Sequence, residues 1–557
     1  MSKVTKFLSL GIDMLQALPE SEFTDREKNF KDKRIYLSAD RMEKAMQAVE
    51  TYLLGNNNLT YSEVKPTESG EVSVFVTVAS KPAVADVRFY PVKPGEKLES
   101  AYTVTGRIDM TRLYTGDDGK LSTTLPAGRY LVKISKGTEY EIFYQEINVS
   151  KKEPVSITAE LIQFTDLEKE GYFAGDLHHH SIYSSPVWGG TDDVVESPKE
   201  VSDSMRANGL KFGALSDHHN ILNHKEWKAT KTCDFHPIPS KEISTSNGHV
   251  LALGVDEYDV IYKIPSAADR TEKYLRNEFI RITDEIKEKG GLAQLNHPRD
   301  LQVSISWNKD FYDMTGIFET IEIWNGSNPM YYGSTNAKAG DFWRSLLEKG
   351  QYIPITSGSD CHNTKANDYH LLYGKMLWLK GNVENILNNG EIRRFEDYRK
   401  ELEAFVFICN KLLPMLEVWA KTTLTSGCVR TYVHIDGEPD TPKILEALKH
   451  GHSFLTTGPV LFAEINGASL GDTVKVESGK ADVKLTIRSN RSLSKVIAYT
   501  SKNRACEIPL KELPKAPSYD YSFELKDYDL SDTDYIFFVA AGDVTNLAIT
   551  NPILIKH

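Results

Sequence analysis

The stretch from Gly175 to Ser181 has the sequence GDLHHHS and is the first in the chain that could hold a metal ion. Successive residues of a strand point to opposite faces, so at a strand end His178 and His180 share one face and His179 points the other way. Two imidazoles on a rigid backbone can bind one ion. Three adjacent histidines can also form a surface tract or hydrogen-bonded core residues, so the motif alone leaves these alternatives open.

Four further clusters follow, and each supplies a histidine. Ten of the fifteen histidines lie between residues 178 and 362, which is a third of the chain. Five such clusters at successive strand ends indicate metal binding. The candidate positions beyond the first cluster are Ser216-Asp-His218, Glu242 with His249, Asn296-His-Pro298 and Ser359-Asp-Cys-His362.

The ligand types narrow the choice of metal. Imidazole and carboxylate without thiolate suit Zn, Mn or Fe. The candidate ligands outnumber the four that one tetrahedral ion needs, so we expect two or three divalent ions. A carboxylate has two oxygens and can bridge neighbouring ions, and Glu242 is the best candidate for that role.

The elements that position these residues alternate between buried strands and helices over residues 165 to about 375. This rhythm predicts a parallel α/β barrel, whose active site forms just after the strands. We predict a helical segment at 1–66, a β-sandwich at 67–163, the barrel at 164–460 and a C-terminal β-domain at 461–557. Leu125 to Val132 resembles carboxypeptidase regulatory-like domains.

A helical insertion at about 378–424 interrupts the barrel. Its apolar stripe predicts one long amphipathic helix from Glu391 to Lys421, kinked at Pro414. Packing in a core is the favoured interpretation, and a lid or a contact in an oligomer is the alternative.

Composition excludes several classes of protein. A net charge of −12 without a long basic run argues against nucleic acid as the main partner, so a small-molecule substrate is expected. Five widely spaced cysteines without a CxxC motif indicate neither a disulfide framework nor a thiolate zinc site. No apolar run reaches 18 residues, and the N-terminus predicts an amphipathic helix rather than a signal peptide, so no membrane and a cytoplasmic location are expected.

Six motifs in order resemble the polymerase-and-histidinol-phosphatase (PHP) domain, and more narrowly its CehA/McbA-type metallohydrolases. They are GDLHHHS, LSDHHN, KEISTSNGHVLALG, LNHPR, IEIWNG and TSGSDCH. The resemblance implies a distorted seven-stranded (β/α) barrel with two or three ions. It places His178, His180, Glu242 and Asp360 on the first ion, Glu242, His249 and His297 on the second, and His218 and His362 on a third.

Two neighbouring residues are candidates for one ligand of the third ion. Many members place an aspartate or a histidine some residues after the first motif, whereas here a longer loop, Tyr183 to Gly190, intervenes. Asp193 fits that position best, with Asp192 as the alternative.

The chemistry expected of such a site is hydrolysis by a hydroxide that bridges two ions, because metals lower the pKa of bound water. Asp217 could orient a ligand, shuttle a proton or serve a structural role. Arg299 could clamp a phosphate or form a salt bridge at the barrel rim. A phosphoesterase is the first hypothesis, a carbamate, ester or amide hydrolase the second, and a non-catalytic metal-containing binding protein the third.

Overall fold

The computed structural model describes most of the chain. The described residues are 39–55, 68–92, 110–190, 192, 194–300, 305–326, 334–364, 368–421, 425–501, 504–508, 519–542 and 546–557. The amphipathic helix predicted at the N-terminus lies outside them. The chain forms two compact units, and the described part of the smaller one falls mainly in 39–55 and 368–421.

The helices are α1 (Ala39–Gly55), α2 (Pro198–Ala207), α3 (His224–Lys228), α4 (Glu272–Glu288), α5 (Thr335–Leu347), α6 (Asp368–Asn388), α7 (Arg399–Lys421) and α8 (Thr441–His450). Short 3-10 helices lie at Glu168–Glu170, Ile182–Ser184, Pro186–Trp188, Lys309–Ile317 and Gly390–Tyr398. None of these described helices is both long enough and apolar enough to span a membrane.

The described part of the smaller unit is mainly helical. Leu402, Phe405 and Cys409 of α7 pack against Met42 and Val49 of α1 in a single buried cluster. The apolar stripe of α7 is therefore used in the core of this unit.

The single helix predicted from Glu391 is wrong in its first residues. Asn389 caps a 3-10 turn by accepting a hydrogen bond from the Glu391 amide, and Phe395 has a non-helical φ of −119°. The α-helix therefore begins at Arg399, and Pro414 lies within it.

The larger unit begins with two four-stranded sheets that enclose one apolar core. One sheet has the order β2-β1-β5, with β8 parallel to β1, and the other has the order β4-β3-β6-β7. The strands are β1 (Ser69–Val78), β2 (Lys81–Pro82), β3 (Asp86–Pro91), β4 (Thr111–Tyr114), β5 (Lys120–Pro126), β6 (Gly128–Ser135), β7 (Phe143–Val149) and β8 (Val155–Leu161).

A mixed α/β region of nine strands follows, and the first seven of them lie side by side in chain order. They are β9 (Tyr172–Asp176), β10 (Phe212–Leu215), β11 (His236–Thr245), β12 (Gly248–Leu253), β13 (Leu292–Asn296), β14 (Thr320–Asn325), β15 (Ile355–Gly358), β16 (Arg430–His434) and β17 (Ser453–Thr456). Among the described residues no strand ladder joins β15 back to β9. An isolated parallel bridge between His179 and Cys361 links the segments that follow them.

The expectation of a wholly parallel arrangement is wrong at β12. This strand pairs antiparallel with both β11 and β13, because it is the return strand of a tight hairpin after β11. The start of β12 therefore lies at the same edge as the ends of β11 and β13.

The C-terminal strands both extend the large sheet and cover it. β16 pairs with β9 and β17, and the sheet continues through β25, β24, β21 and β22, while β18, β20 and β23 form a separate sheet. The remaining strands are β18 (Val460–Ile465), β19 (Thr473–Lys475), β20 (Lys480–Ser489), β21 (Lys495–Thr500), β22 (Arg504–Ile508), β23 (Tyr519–Asp529), β24 (Tyr535–Ala541), β25 (Leu547–Thr550) and β26 (Ile553–Lys556).

Candidate metal centre

Glu242 is at the centre of a buried group of imidazoles. It lies on β11 and is 1% exposed. One oxygen, Oε1, lies 3.0 Å from His249 Nδ1 and 3.1 Å from His297 Nε2. The other oxygen, Oε2, lies 3.3 Å from both His178 Nε2 and His218 Nδ1. Each carboxylate oxygen thus faces its own set of imidazole nitrogens, which is the arrangement a bridging ligand requires.

The antiparallel course of β12 explains how His249 reaches this group. His249 is the second residue of its strand, whereas the other histidines follow the ends of theirs. Cα pairing places His249 opposite Asn296, the residue before His297, so both imidazoles meet Glu242 at one edge of the sheet.

His178 and His180 approach one another and Asp360. Their Nε2 atoms are 3.2 Å apart and lie 3.4 and 3.0 Å from Asp360 Oδ1. His178 Nδ1 lies 3.1 Å from Glu322 Oε1, and His180 Nδ1 lies 3.0 Å from Ser184 Oγ. If each Nδ1–H donates to its oxygen, both Nε2 lone pairs face each other. A proton or a metal ion between them would relieve that repulsion.

A second carboxylate gathers the remaining histidines. Asp192 Oδ2 lies 3.1 Å from His218 Nε2 and 3.2 Å from His362 Nε2. His180, Asp192, His218 and His362 together present four ligand atoms within 4.8 Å of one another. Asp193, the residue predicted for this position, lies outside the described residues, and Asp192 supplies the carboxylate seen here.

The structure brings eight of the nine predicted ligands into one centre. Their ligand atoms form overlapping groups in which all members lie within 4.8 Å of one another. These groups are His180 with Asp192, His218 and His362; His178 with His180 and Glu242; His178 with His297 and Asp360; and Glu242 with His249 and His297.

The carboxylates of the centre stay ionised. Burial alone would raise the pKa of Glu242, but the charges of His178, His249 and His218 hold it well below its usual range. Burial would also raise the pKa of Asp360, but the charge of His178 and the hydrogen bond with His180 hold it well below its usual range.

The pKa values of the buried histidines shift in different directions. Burial would lower the pKa of His178, but the charges of Asp360 and Glu242 raise it well above its usual value. For His249 burial dominates and lowers the pKa to about 4. Protons and metal ions therefore compete for the same nitrogens.

Two candidate ligands have left-handed backbone conformations. His297 has φ of 23° and Asp360 has φ of 49°. Such angles are strained for residues other than glycine and are maintained only where surrounding contacts impose them. For Asp360 one such contact is the hydrogen bond from its amide to the His178 carbonyl, at 2.8 Å.

Sequence reasoning missed Glu322, which supports two of the ligands. Besides its contact with His178, Glu322 accepts a hydrogen bond of 2.9 Å from the His297 amide. It is fully buried on β14. A glutamate among the apolar residues of a buried strand is a signal that could have revealed it.

Asp176 was also missed, and it joins three segments. Its oxygens accept hydrogen bonds from the amides of Ser359, at 2.9 Å, and Gly427, at 2.8 Å. It is fully buried at the end of β9, and burial raises its pKa. The only signal in the sequence is its polar side chain at the end of an apolar strand.

Asp217 lies beside the centre and belongs to none of the ligand groups. Its carboxylate accepts hydrogen bonds from the Ser181 amide at 2.6 Å, from Ser181 Oγ at 2.7 Å and from Ser184 Oγ at 2.8 Å. Because Ser184 in turn contacts His180 Nδ1, Asp217 positions that ligand through the loop.

Arg299 contacts an aromatic side chain. Its guanidinium is hydrogen-bonded to the hydroxyl of Tyr312 and lies 5.7 Å from the centre of that ring. Burial lowers its pKa. Within the described residues it forms none of the salt bridges found, so the alternative of a salt bridge at the barrel rim is not seen there.

His179 lies away from the candidate metal centre, as strand alternation predicts. Its Nε2 lies 2.9 Å from Ser426 Oγ and its Nδ1 lies 3.0 Å from the His180 carbonyl oxygen. Burial lowers its pKa to about 3, so it is neutral at physiological pH. His179 is a hydrogen-bonded core residue.

Fold and site together describe an α/β protein with a buried histidine and carboxylate centre. No family model and no curated protein matches the chain. A putative metal-dependent phosphoesterase from Bifidobacterium adolescentis is similar over 34% of this chain and 87% of its own, with 15% identity and a TM-score of 0.24. An amidohydrolase from Chromobacterium violaceum, solved with bound sulfate and no metal, is similar over the same shares, with 18% identity and a TM-score of 0.23. Scores this low establish no shared fold, so the PHP resemblance stays a prediction.

Proposed function

We propose that this protein is a metal-dependent hydrolase of the PHP superfamily, CehA/McbA type, and that it is a phosphoesterase acting on a phosphomonoester or phosphodiester. The observation that carries the proposal is the position of Glu242, with His249 and His297 on one oxygen and His178 and His218 on the other. A buried carboxylate with imidazoles on both oxygens is suited to hold two ions side by side.

The donor set fits two or three divalent ions of Zn, Mn or Fe. The opposed Nε2 atoms of His178 and His180 are one sign of this fit. A second is the pair His249 and His297, whose ring nitrogens both face one oxygen of Glu242, at 3.0 and 3.1 Å. Two imidazoles and a carboxylate oxygen that converge in a buried position are typical donors for a divalent cation.

The chain's own residues would hold the ions and set their surroundings. When bound, divalent ions lower the pKa of water and stabilise negative charge on a substrate oxygen. Glu322 and Ser184 fix the ring orientations of His178 and His180, so that each Nε2 faces the centre. Arg299, held against Tyr312, lies two residues after His297 and is the residue we assign to a substrate oxyanion.

The barrel of the PHP type is part of the same proposal. Seven strands, β9 to β15, lie in consecutive order. The amide of Asp360 donates to the His178 carbonyl at 2.8 Å, and that of His180 donates to the Cys361 carbonyl at 3.1 Å. These bonds join the segments that follow the first and last strands, at the edge where the candidate ligands lie, and they support the proposal of a distorted barrel.

One observation favours the second candidate, a carbamate, ester or amide hydrolase. The loop from Ser181 to Asp192, which supplies Ser184 and Asp192 to the centre, contains no lysine or arginine. A phosphate group carries more charge than these neutral substrates, and it would depend on the ions and Arg299 for charge stabilisation.

The test is to purify the protein, measure its metal content by mass spectrometry and assay aryl phosphates, phosphodiesters, carboxyl esters and carbamates. We expect at least two ions per chain and turnover of a phosphate ester that a chelator abolishes. Glu242→Ala should remove at least one ion and abolish turnover, whereas Glu288→Ala, at an exposed glutamate, should change neither.

Three results would contradict the proposal. A protein without bound metal and without activity towards any of the four classes is not this hydrolase. Chelator-sensitive turnover of carbamates or carboxyl esters alone would select the second candidate. A Glu242→Ala variant with full metal content and activity would remove Glu242 from the bridging role.

A further inference from the structure

Three apolar side chains are exposed beside the metal centre. Val187 is 83% exposed and Trp188 is 44% exposed, both on the loop after His180, and Leu222 is 51% exposed on the loop after His218. Val187, Trp188 and Leu222 together form the apolar rim. Large exposed apolar side chains on loops that adjoin a buried polar centre are typical of ligand-binding surfaces.

A single amide side chain ties the rim to a candidate ligand. Asn220 Nδ2 donates to the Trp188 carbonyl at 3.4 Å and to the His218 carbonyl at 3.0 Å. These two carbonyl oxygens are therefore no more than 6.4 Å apart. Asn220 Oδ1 accepts a hydrogen bond of 3.1 Å from the Leu222 amide, so both loops are fixed to the backbone of His218.

The loop that carries Trp188 also enters the centre. Ser184 Oγ lies 3.0 Å from His180 Nδ1, and the Asp192 amide donates to the Ser184 carbonyl at 3.1 Å. The rings of Tyr183 and Trp188 pack with centroids 5.2 Å apart, which holds the indole in place. One short segment thus holds two groups of the centre and presents an aromatic surface to solvent.

We infer that the apolar rim binds the organic part of the substrate, and that this part is an aromatic or alkyl group rather than a second charged group. The inference rests on the proposed hydrolase function. An indole offers a flat surface for an aromatic or alkyl group, and covering it removes apolar area from water. The absence of lysine and arginine between Ser181 and Asp192 leaves this loop without a cation for a polyanionic substrate.

Alkyl phosphates of increasing chain length test the inference, because their leaving alcohols are almost equally acidic. For the wild type kcat/KM should rise from ethyl to octyl phosphate. Trp188→Ala should lose about tenfold in kcat/KM on the octyl ester and less than twofold on the ethyl ester. Leu222→Ala should act in the same direction, and its exposed position leaves folding intact.

The matched control is Ile264→Ala, at an apolar residue that is 78% exposed. Its neighbour Lys263 donates to Glu278 on α4, so Ile264 belongs to another part of the surface. Its chain-length dependence should equal that of the wild type. If Trp188→Ala and Leu222→Ala reduce all esters equally, or if Ile264→Ala has the same effect as they do, the rim does not bind the organic part.

Binding of alkylphosphonates, which are not hydrolysed, separates this inference from the proposed function. By calorimetry octylphosphonate should bind the metal-loaded wild type at least tenfold more tightly than ethylphosphonate, and Trp188→Ala should lose most of that preference. This preference without any turnover would support the rim and overturn the hydrolase. Turnover with equal affinity for both phosphonates would overturn the rim and leave the hydrolase.

Discussion

His178 Nδ1 lies 3.1 Å from Glu322 Oε1, and both side chains are fully buried. The second oxygen of Glu322 accepts the His297 amide at 2.9 Å. One carboxylate on β14 thus orients two candidate ligands that follow β9 and β13. Carboxylates that hold metal-binding imidazoles in this way fix the tautomer and make the imidazole a stronger ligand.

Removing the charge of Glu322 should weaken metal binding without removing a ligand. We expect Glu322→Gln to lower metal affinity by about 10- to 100-fold, because the amide no longer fixes the His178 tautomer. Titration against a competing chelator measures this loss. Glu288→Gln, at an exposed glutamate, is the control and should match the wild type. Unchanged affinity in Glu322→Gln would show that the contact is not needed for metal binding.

Metal affinity should rise with pH. Burial would lower the pKa of His297, but its hydrogen bond with Glu242 and the charge of that carboxylate raise the pKa to about 9. Burial would also lower the pKa of His362, but its hydrogen bond with Asp192 and the charge of Asp360 raise that pKa to about 9. Below pH 9 both imidazoles carry a proton that a metal ion must displace, so apparent affinity increases with pH and levels off above about 9.

Competition between Mn²⁺ and a chelator of known pH dependence, followed from pH 6.5 to 9.5, measures this effect. Each displaced proton contributes up to about tenfold in the apparent association constant per pH unit. An affinity that does not change over this range would exclude His297 and His362 as ligands.

Asp192 and Asp193 are the two alternatives for the carboxylate ligand of the third predicted ion. Asp192 Oδ2 lies close to His218 Nε2 and His362 Nε2. We expect Asp192→Asn to reduce the number of bound ions or to weaken one of them by at least tenfold, because an amide is a poorer ligand than a carboxylate. Asp193→Asn is the matched variant and should retain all ions. The opposite pattern would assign the ligand to Asp193, which the sequence favours.

Asp217 should matter for stability as well as for the site. Its carboxylate accepts hydrogen bonds from Ser181 and Ser184 in a fully buried position. In Asp217→Asn the side-chain NH2 group would face the N–H and O–H donors of Ser181 and Ser184. The substitution should therefore lower the free energy of unfolding by about 1–3 kcal/mol. Urea denaturation of the metal-free protein measures it. Asp284→Asn, at an exposed aspartate, should have no effect, and equal stability of both variants would contradict the structural role.

The sequence by itself determined the local geometry of the site. The alternation of a strand end places His178 and His180 together and His179 apart, because side-chain direction depends only on neighbouring residues. His218, His297 and Asp360 each follow an apolar strand, and the ends of neighbouring parallel strands lie at one edge of a sheet. Their positions in the sequence therefore predicted that these side chains would converge. The alternation of apolar and polar residues at 72–78 and 483–487 and the apolar run at 535–540 predict strands, and these stretches lie within β1, β20 and β24.

Only the tertiary structure decided which groups support the ligands and from which direction. Glu322 is 144 residues from His178 in the chain, and no local pattern links them. The antiparallel turn of β12, which brings His249 to Glu242, and the break before Arg399 depend on strand pairing and capping. Strand order is set by packing over the whole chain, so the partner of a buried carboxylate cannot be found from the residues beside it.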